Sequence, residues 1–356
     1  MRAAKDRFLV PTPEGLAALA LSGFLFLLAT NLMAGWLFFL VAFLVALLLV
    51  GGVTALRGVR HLRVEVGPVP PTVEGGMVAI PVLVQSSRTL RFVRLAAVVG
   101  GQRGETFLPV VERGTKRQSP VRLAAPARGV YALGELRLIS PGLIGMFQAE
   151  RRLPARAEVV VRPRYQVVND LPVGVSDNGG AEVPQHRRGY ELFGIREYLP
   201  GDPARHIHWR SSARHRRLLV KEFEEPAAPI LALVVDAERG QPPADLDAAA
   251  RAAASIAWTA LQRGWQVTLL WCGADGPATV RGDWEQLWDA LARLRADGPP
   301  LSQALGRLNA HLRETVPVVV SSRPGSLRLP VVLVAPAGSA TAWEYDRDGA
   351  VRCAAS

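Results

Sequence analysis

Two long apolar runs stand near the start of the chain, with a short polar break between them. Between Glu14 and Arg57 there is no Asp, Glu, Lys, Arg or His. The runs cover residues 16–32 and 35–50. Each is close to the roughly 20 residues that a helix needs to cross about 30 Å of hydrocarbon. The pattern predicts a transmembrane helical hairpin over residues 14–56.

The charges on either side of this hairpin predict its orientation. Asn31 lies at the predicted turn, and no positive charge stands near it. Positive residues occur in the tail over residues 1–13 and again directly after the hairpin: Arg2, Lys5 and Arg7, then Arg57, Arg60 and Arg63. Because Lys and Arg are enriched on the cytoplasmic flanks of membrane helices, we expect both termini to be cytoplasmic.

The apolar runs allow two other interpretations. A signal peptide cleaved near Ala34 would account for the first run, but the apolar region continues well past the 7–15 residues typical of such a segment. A helical hairpin buried inside a soluble protein would account for both runs. The length of the uncharged region favours the membrane hairpin over either alternative.

A different pattern covers residues 57–165. Short runs alternate between apolar and polar residues, as in His61–Val66 and Tyr131–Ile139, and turn-forming pairs such as Gly75–Gly76 separate them. Period-two alternation is typical of strands that bury one face. About seven such runs, with no helical stretch among them, predict an all-β, sandwich-like domain.

The last part of the chain, residues 229–356, alternates between predicted strands and predicted helices. The continuous apolar run that ends at Asp236 is typical of a parallel strand buried on both faces. An Ala-rich stretch over residues 245–264 favours a helix, and residues 265–272 favour a second strand. Further helices are predicted over 283–296 and 301–314, and further strands over 316–320 and 331–334. This alternation predicts an α/β layer domain.

Residues 166–228 connect these two domains and contain the most basic stretch of a chain whose formal net charge is +11. Between Arg187 and Lys221 there are eight Arg, one Lys and three His against three carboxylates. Guanidinium groups at this density bind phosphate through forked hydrogen bonds, but they also pair with carboxylates of their own protein. Aromatic residues are few here, so nucleic-acid binding is the less favoured role.

The same segment contains few residues suited to catalysis or metal binding. His206 and His208 form a His-x-His pair, but no third ligand stands at a suitable spacing. Ser211 and Ser212 are near histidines in the sequence, yet neither has the Gly-x-Ser-x-Gly surroundings of a nucleophile elbow. We therefore expect no bound metal, no cofactor and no enzymatic activity.

Specific motifs run through this basic segment. They read Gly194-Ile-Arg196-Glu-Tyr198, then Gly201-Asp202-Pro-Ala-Arg205-His-Ile-His208-Trp209, then Ser212-Ala-Arg214 and Leu219-Val-Lys221-Glu222. Their order and spacing resemble a family of bacterial membrane proteins, domain of unknown function 58 (DUF58). The candidate interaction residues are those of the motifs: Arg196, Tyr198, Gly201, Asp202, Arg205, His208, Trp209, Ser212, Arg214 and Lys221.

The resemblance implies an anchor in a bacterial inner membrane and a protein partner, a MoxR-type AAA+ ATPase. It also implies that the C-terminal domain is similar to the von Willebrand factor A domain, whose metal site uses Asp-x-Ser-x-Ser after the first strand. Here the stretch is Asp236-Ala-Glu238-Arg-Gly240. Two hydroxyl ligands for Mg²⁺ are missing from it, so Asp236 is expected to cap the strand end and not to bind a metal.

These expectations combine into a membrane-anchored interaction or assembly protein that acts at the cytoplasmic face and contacts the lipid bilayer through its hairpin. Two alternatives stay open. One is an enzyme that uses Asp202, His206, His208 or Ser212. The other is a protein that binds anionic lipid or nucleic acid through its basic surface.

Overall fold

The protein is described by a computed structural model. The structure describes residues 7–32, 34–142, 144–172, 192–199, 207–223, 229–308, 317–323, 332–339 and 341–354. The chain divides into two compact units, Met1–Arg164 and Tyr165–Ser356.

The first unit begins with a strand and two long apolar helices. Strand β1 (Arg7–Pro11) leads almost directly into α1 (Pro13–Leu32), and α2 (Gly35–Arg60) follows. Both helices are long and apolar enough to cross a membrane. Phe26 and Phe38 join them by an edge-to-face contact with 6.2 Å between ring centroids. The two predicted apolar helices are therefore present, but the predicted N-terminal tail contains a strand.

Helix α2 extends beyond the predicted hairpin because its last turns belong to the β-rich part of the unit. The hairpin was predicted to end at residue 56, whereas the helix continues to Arg60. Ala55 and Val59 are fully buried in the same hydrophobic core as the strands that follow. Arg57 lies on the exposed side of these turns, so it marks the end of the apolar run but not the end of the helix.

Two β-sheets make up the rest of the first unit. Within the described residues, the strands after α2 are β2 (Leu62–Val66), β3 (Thr72–Val73), β4 (Met77–Ser86), β5 (Leu90–Val99), β6 (Gln102–Val111), β7 (Lys116–Ala124), β8 (Gly129–Pro141) and β9 (Phe147–Arg162). The larger sheet has the order β1-β9-β8-β5-β6, and the smaller has the order β2-β4-β7. Neighbouring strands are antiparallel, except that β3 runs parallel to β9.

The alternation read from the sequence explains why the two sheets share one core. Every second residue of β4 from Val78 to Val84 is fully buried, and Val93 and Leu95 of β5 are buried in the same way. These side chains form a single apolar cluster that also includes the end of α2. Burial of this surface stabilises the unit by the hydrophobic effect. The expected sandwich-like, mostly β body is therefore present.

The second unit contains a short antiparallel strand pair and a larger mixed sheet. The pair consists of β10 (Leu192–Glu197) and β11 (Leu219–Phe223), with helix α3 (Trp209–His215) between them in the chain. The described elements that follow are β12 (Ile230–Val235), α4 (Pro243–Gln262), β13 (Gln266–Gly273), β14 (Gly276–Arg281), α5 (Trp284–Arg293), α6 (Leu301–Leu308), β15 (Val318–Val320), β16 (Val332–Pro336), β17 (Trp343–Tyr345) and β18 (Val351–Cys353).

The strand order of this larger sheet creates a topological switch point. The order is β14-β13-β12-β15-β16-β17-β18, with parallel pairing from β13 to β17 and antiparallel strands at both ends. The chain leaves β12 for β13 on one side and later enters β15 on the other. Ligands of open α/β sheets bind where the strand order reverses in this way, at the carboxyl ends of the strands.

The segment before β10 departs from the linker that the sequence suggested. The backbone N–H of Gln166 donates to the hydroxyl of Ser255, and that of Val168 donates to the hydroxyl of Thr259, each at 3.0 Å. Val168 and Leu171 are buried in the core built around α4. Residues 165–171 are therefore part of the packed second unit.

Candidate functional site

The basic segment with the family motifs is built on β10, α3 and β11. Three of its candidate residues, Gly201, Asp202 and Arg205, lie outside the described residues, as does His206. The structure places the remaining candidates on these elements or next to them: Arg196, Tyr198, His208, Trp209, Ser212, Arg214 and Lys221.

The strand pairing brings the two ends of this segment together. In the register of β10 and β11, Arg196 pairs with Val220, and Lys221 pairs with Ile195. The backbone N–H of Tyr198 donates to the carbonyl oxygen of Leu218 at 2.9 Å, which extends the pairing past the end of β10. Motif residues about twenty positions apart in the sequence therefore become neighbours.

Two motif side chains hold α3 in place. His208 caps the helix, because its Nδ1 accepts a hydrogen bond of 3.1 Å from the backbone N–H of Ser211. Ser212 is only 7% exposed, and its hydroxyl accepts from the N–H of Leu219 at 2.9 Å and donates to the carbonyl oxygen of His208 at 3.1 Å. His215 does not contact the Ser212 hydroxyl through these bonds, because its Nδ1 lies 3.0 Å from the carbonyl oxygen of Ser211. These contacts give His208 and Ser212 structural roles in the segment.

The exposed side of α3 presents an aromatic ring among guanidinium groups. Trp209 is 65% exposed, and Arg210 and Arg214 are exposed on the same helix. A shallow depression of about 310 Å³ is lined by Trp209, Ser212, Ala213, Arg216, Arg217 and Leu218. Tryptophan and arginine are enriched at the centres of protein interfaces. We call this region the α3 surface, and it is the candidate contact surface of the second unit.

The loop that borders the α3 surface contains a strained residue. Arg216 follows α3 with a φ of +52°, in the left-handed region that normally favours glycine. Its neighbour Arg217 forms an ion pair of 3.1 Å with Glu197. Both partners are more than half exposed, so the pair contributes at most about 1 kcal/mol. The turn after α3 therefore depends mainly on its backbone and on Ser212.

A second polar cluster lies at the switch point of the larger sheet. Asp236 directly follows β12 and is 2% exposed. Its carboxylate accepts from the hydroxyl of Ser321 at 2.6 Å and from the backbone N–H of Glu238 at 3.0 Å. Burial raises the pKa of the Asp236 carboxyl above its ordinary value, although these two hydrogen bonds act in the opposite direction. Asp236 therefore joins the ends of β12 and β15.

One buried polar group near Asp236, the hydroxyl of Tyr345, has no hydrogen-bond partner among the described protein groups. The side chain of Gln241 is also buried, and its hydrogen bonding to Asp236 acts to lower the pKa of that carboxyl. Burial raises the pKa of the Tyr345 hydroxyl, and the charges of Asp245 and Asp236 add to the effect. Within the described part of the chain, no group of three or more His, Cys, Asp or Glu side chains is arranged to hold a metal ion.

Asp236 is the one residue of this cluster that was predicted from the sequence, whereas Ser321, Gln241 and Tyr345 were not. A usable signal existed for Ser321, which directly follows the strand predicted over residues 316–320. The carboxyl ends of adjacent parallel strands meet at one edge of a sheet. Gln241 and Tyr345 belong to no motif, so their position near Asp236 can be recognised only in the folded structure.

A third notable region is the joint between the apolar helices and the β-sheets of the first unit. The Thr12 side chain caps α1 by accepting from the N–H of Gly15 at 3.1 Å, and its hydroxyl donates to the Gly145 carbonyl oxygen at 2.9 Å. The backbone N–H of Thr12 donates to the Met146 carbonyl oxygen at 3.0 Å. The turn between β8 and β9 is thereby bonded to the start of α1.

Glycines allow this joint to pack closely. A Cβ atom added to Gly15 would lie 2.0 Å from the Met146 carbonyl oxygen, and one added to Gly142 would lie 2.3 Å from the Gly51 carbonyl oxygen. A Cβ atom on Gly58 would lie 2.6 Å from the Ser140 hydroxyl. Both helices therefore contact the turn between β8 and β9 at backbone distance, which we call the glycine joint.

Comparisons with known proteins agree with the motif resemblance. The family model described as protein of unknown function DUF58 matches residues 194–323, which confirms the resemblance over that part of the chain. The uncharacterized protein YeaD of Bacillus subtilis (strain 168) is 27% identical over 118 residues, which cover 32% of this chain and 29% of YeaD. The match thus spans less than a third of that relative's length.

The chain also has a slight similarity to a solved structure. Cwp6 from Clostridium difficile aligns with 74% of this chain and 37% of its own, with 11% identity and a TM-score of 0.22. A score of this size is too low to establish a common fold.

Proposed function

We propose that this protein is a membrane-anchored interaction or assembly protein of the bacterial inner membrane, with both termini in the cytoplasm. The observation that carries the proposal is the continuity of α2. Its first part exposes large apolar side chains such as Phe39 and Phe43, whereas Ala55 and Val59 near its end are buried in the β core. A helix of this kind holds a folded domain directly against a bilayer.

The charges at the end of the hairpin support the proposed orientation. Arg57 and Arg60 occupy the last turn of α2, and Arg63 follows in β2. Cytoplasmic flanks are enriched in such residues, and anionic lipids of the inner leaflet attract them.

The proposed partner is a MoxR-type AAA+ ATPase, and the proposed contact is the α3 surface. The DUF58 match over residues 194–323 supports the family resemblance from which this partner is inferred. The exposed Trp209 and the arginines around it support a protein contact, because such side chains bind partner proteins strongly when they become buried. The hydrogen bonds of His208 and Ser212 fix α3 relative to β11, which supports the proposal that the α3 surface has one defined conformation.

We also propose that the second unit is a von Willebrand factor A-like domain that no longer uses a metal site. The parallel strands on both sides of β12 and the position of Asp236 at the switch point support this interpretation. Asp236 is engaged by Ser321 and by the Glu238 N–H, as expected of a residue that stabilises the strand end.

Photo-crosslinking tests the partner proposal directly. A photoreactive phenylalanine analogue would replace Trp209 in the full-length protein, in membranes that contain the MoxR-type ATPase of the same bacterium. A matched control would carry the analogue at Lys116, which is exposed on β7 of the first unit. We expect a crosslink to the ATPase from position 209 only, and its loss when Arg214→Ala is added.

Equal crosslinking from positions 209 and 116 would contradict a contact through the α3 surface. The same conclusion would follow if Arg214→Ala left the crosslink from position 209 unchanged while the protein remained in the membrane fraction.

A further inference from the structure

Strand β1 is an apolar edge strand with an unusual degree of exposure. Phe8 is 49% and Val10 is 50% exposed, and Leu9 is also exposed. On one side β1 pairs with β9, and it is the terminal strand in the order of the larger sheet. An exposed apolar edge is a site of aggregation in water, so native proteins cover or blunt such edges. A further surface, outside the protein, is therefore expected to cover β1.

The lengths of the two helices place β1 near the surface of a bilayer. Helix α1 has 20 residues and α2 has 26, which correspond to about 30 Å and about 39 Å at 1.5 Å per residue. Only residues 33 and 34 separate the helices, so they share one end of the hairpin. The start of α1 at Pro13 then lies at the level of about Thr54 on α2, where about 30 Å of hydrocarbon ends.

The contacts of β1 also place the strand near the level of Thr54 on α2, where the hydrocarbon ends. A Cβ atom on Gly52 would lie 3.5 Å from the side chain of Leu9, and one on Gly51 would lie 3.6 Å from the ring of Phe147. Phe147 pairs with Pro11 in the register of β1 and β9. Strand β1 and the start of β9 are therefore beside the part of α2 that reaches the hydrocarbon boundary.

Among the described residues, β9 is the one strand that pairs with β1, and the other edge of β1 limits how deep the strand can lie. Open sheet edges do not occur within the hydrocarbon core, because lipid tails cannot hydrogen-bond the free backbone groups. The headgroup layer contains water and also accommodates aromatic side chains. It is the environment that satisfies both the backbone edge of β1 and the exposed side chains of Phe8 and Val10.

The charges around β1 complement anionic headgroups. The guanidinium carbon of Arg152 lies 5.5 Å from the centroid of the Phe8 ring, and Arg57 is exposed on α2. The Nε atom of Arg152 lies 4.0 Å from an oxygen of Glu150, which is too far for a direct hydrogen bond. Arginine binds phosphate by forked hydrogen bonds.

We propose that β1 and its surroundings form an interfacial collar that sits in the headgroup layer and binds anionic phospholipid. The collar consists of Phe8, Leu9, Val10, Arg57 and Arg152. This inference rests on the proposed function, because it requires α1 and α2 to cross the membrane. It goes further by assigning a lipid-binding role to a strand of the β body.

Depth-dependent fluorescence quenching tests the collar. Single cysteines, Phe8→Cys, Val10→Cys and the control Gln102→Cys, would be introduced into the full-length Cys353→Ser protein, in which the remaining Cys272 is buried. Each would be labelled with a small fluorophore and reconstituted in bilayers of phosphatidylcholine with a minority of phosphatidylglycerol. Nitroxide quenchers would be placed at the headgroup or deep in the acyl chain.

The control position is chosen for its distance from the membrane. Leu90 at the start of β5 lies beside Gly58 of α2, and Gln102 follows the turn at the other end of that strand, about 30 Å away at 3.3 Å per residue. We expect headgroup nitroxides to quench the probes at positions 8 and 10 roughly twofold more strongly than the probe at 102, because the headgroup layer is only about 5–8 Å thick. Deep acyl nitroxides should have less effect.

Equal quenching at positions 8 and 102, in protein that resists alkaline carbonate extraction, would overturn the collar and leave the membrane anchor intact. Release of the protein by carbonate would instead count against the proposed function.

A separate experiment tests whether the collar prefers anionic lipid. Arg152→Gln should reduce quenching at position 10 by nitroxide-labelled phosphatidylglycerol but not by labelled phosphatidylcholine, and an unchanged phosphatidylglycerol signal would contradict it.

Discussion

The substitution Gly15→Ala tests the glycine joint, because a single methyl group enters the space between α1 and the turn after β8. The added Cβ atom would lie 2.0 Å from the Met146 carbonyl oxygen. Carbon and oxygen atoms in contact are normally about 3.3 Å apart or more. The helix or the turn must therefore move by more than about 1 Å, since no side-chain rotation relieves a clash between backbone atoms.

The size of the effect follows from two opposing terms. Overpacking of this kind costs about 1–3 kcal/mol, whereas replacing glycine by alanine in a helix gains up to about 1 kcal/mol. Gly23→Ala on the same helix is the matched control, because nothing lies within 4 Å of its added Cβ atom. The gain in helix propensity is common to both variants and cancels, so at about 2–4 °C per kcal/mol for a unit of this size Gly15→Ala should unfold roughly 2–12 °C below Gly23→Ala.

Thermal unfolding of the two full-length variants in lipid nanodiscs measures this difference. Hydrogen exchange of the Thr12 amide, which donates to Met146 in the native structure, should also be faster in Gly15→Ala. If the two variants unfold at the same temperature and protect Thr12 equally, the start of α1 does not pack against the Met146 carbonyl group.

Three further predictions concern the second unit. Ser212→Ala should leave the buried Leu219 N–H without its acceptor and destabilise the α3 turn by about 1–3 kcal/mol. Ser211→Ala is the control and should have little effect. Hydrogen exchange of the Leu219 amide distinguishes the two variants, and equal exchange rates would argue against the bond. Arg216→Gly should be more stable than Arg216→Ala by about 0.5–1 kcal/mol, because glycine relieves the left-handed backbone; chemical denaturation measures this, and the reverse order would contradict it. Burial raises the pKa of Asp236 above 3.8, so the stability that this group contributes is fully present below pH 3.8 and decreases as pH rises through the folded-state pKa. The stability of Asp236→Asn relative to the wild type should therefore increase as pH rises from 3.8 through the folded-state pKa, and denaturation curves with no such trend would show that the carboxyl is not destabilised by burial.

Much of the first unit could be predicted from local pattern. The apolar runs of α1 and α2 and the alternation along β4 each have a period that identifies the element. The role of β1 could not be predicted, because its pairing partner β9 lies more than a hundred residues away. The end of α2 was missed for a related reason: Arg57 interrupts the apolar run, but the core that receives Ala55 and Val59 is formed by distant strands.

The candidate sites divide in the same way. The motifs identified the segment that contains β10, α3 and β11, because their residues form one continuous stretch of sequence, but the pairing of β10 with β11 was not predicted. Their individual roles were less visible, since His208 and Ser212 resemble catalytic residues in the sequence but bond the backbone of their own segment in the structure. Ser321 joins Asp236 only because β15 is inserted beside β12, and this adjacency depends on the order of strands in the sheet.

The central claim is that the α1–α2 hairpin crosses the inner membrane and that the β body lies on the cytoplasmic side. Labelling with a membrane-impermeant maleimide in intact cells tests it most directly, with Asn31→Cys near the hairpin turn and Gln102→Cys in the β body, both in the Cys353→Ser background. We predict that position 31 is labelled from outside and that position 102 is labelled only after the cells are opened. Labelling of position 102 in intact cells, with position 31 protected, would contradict the account.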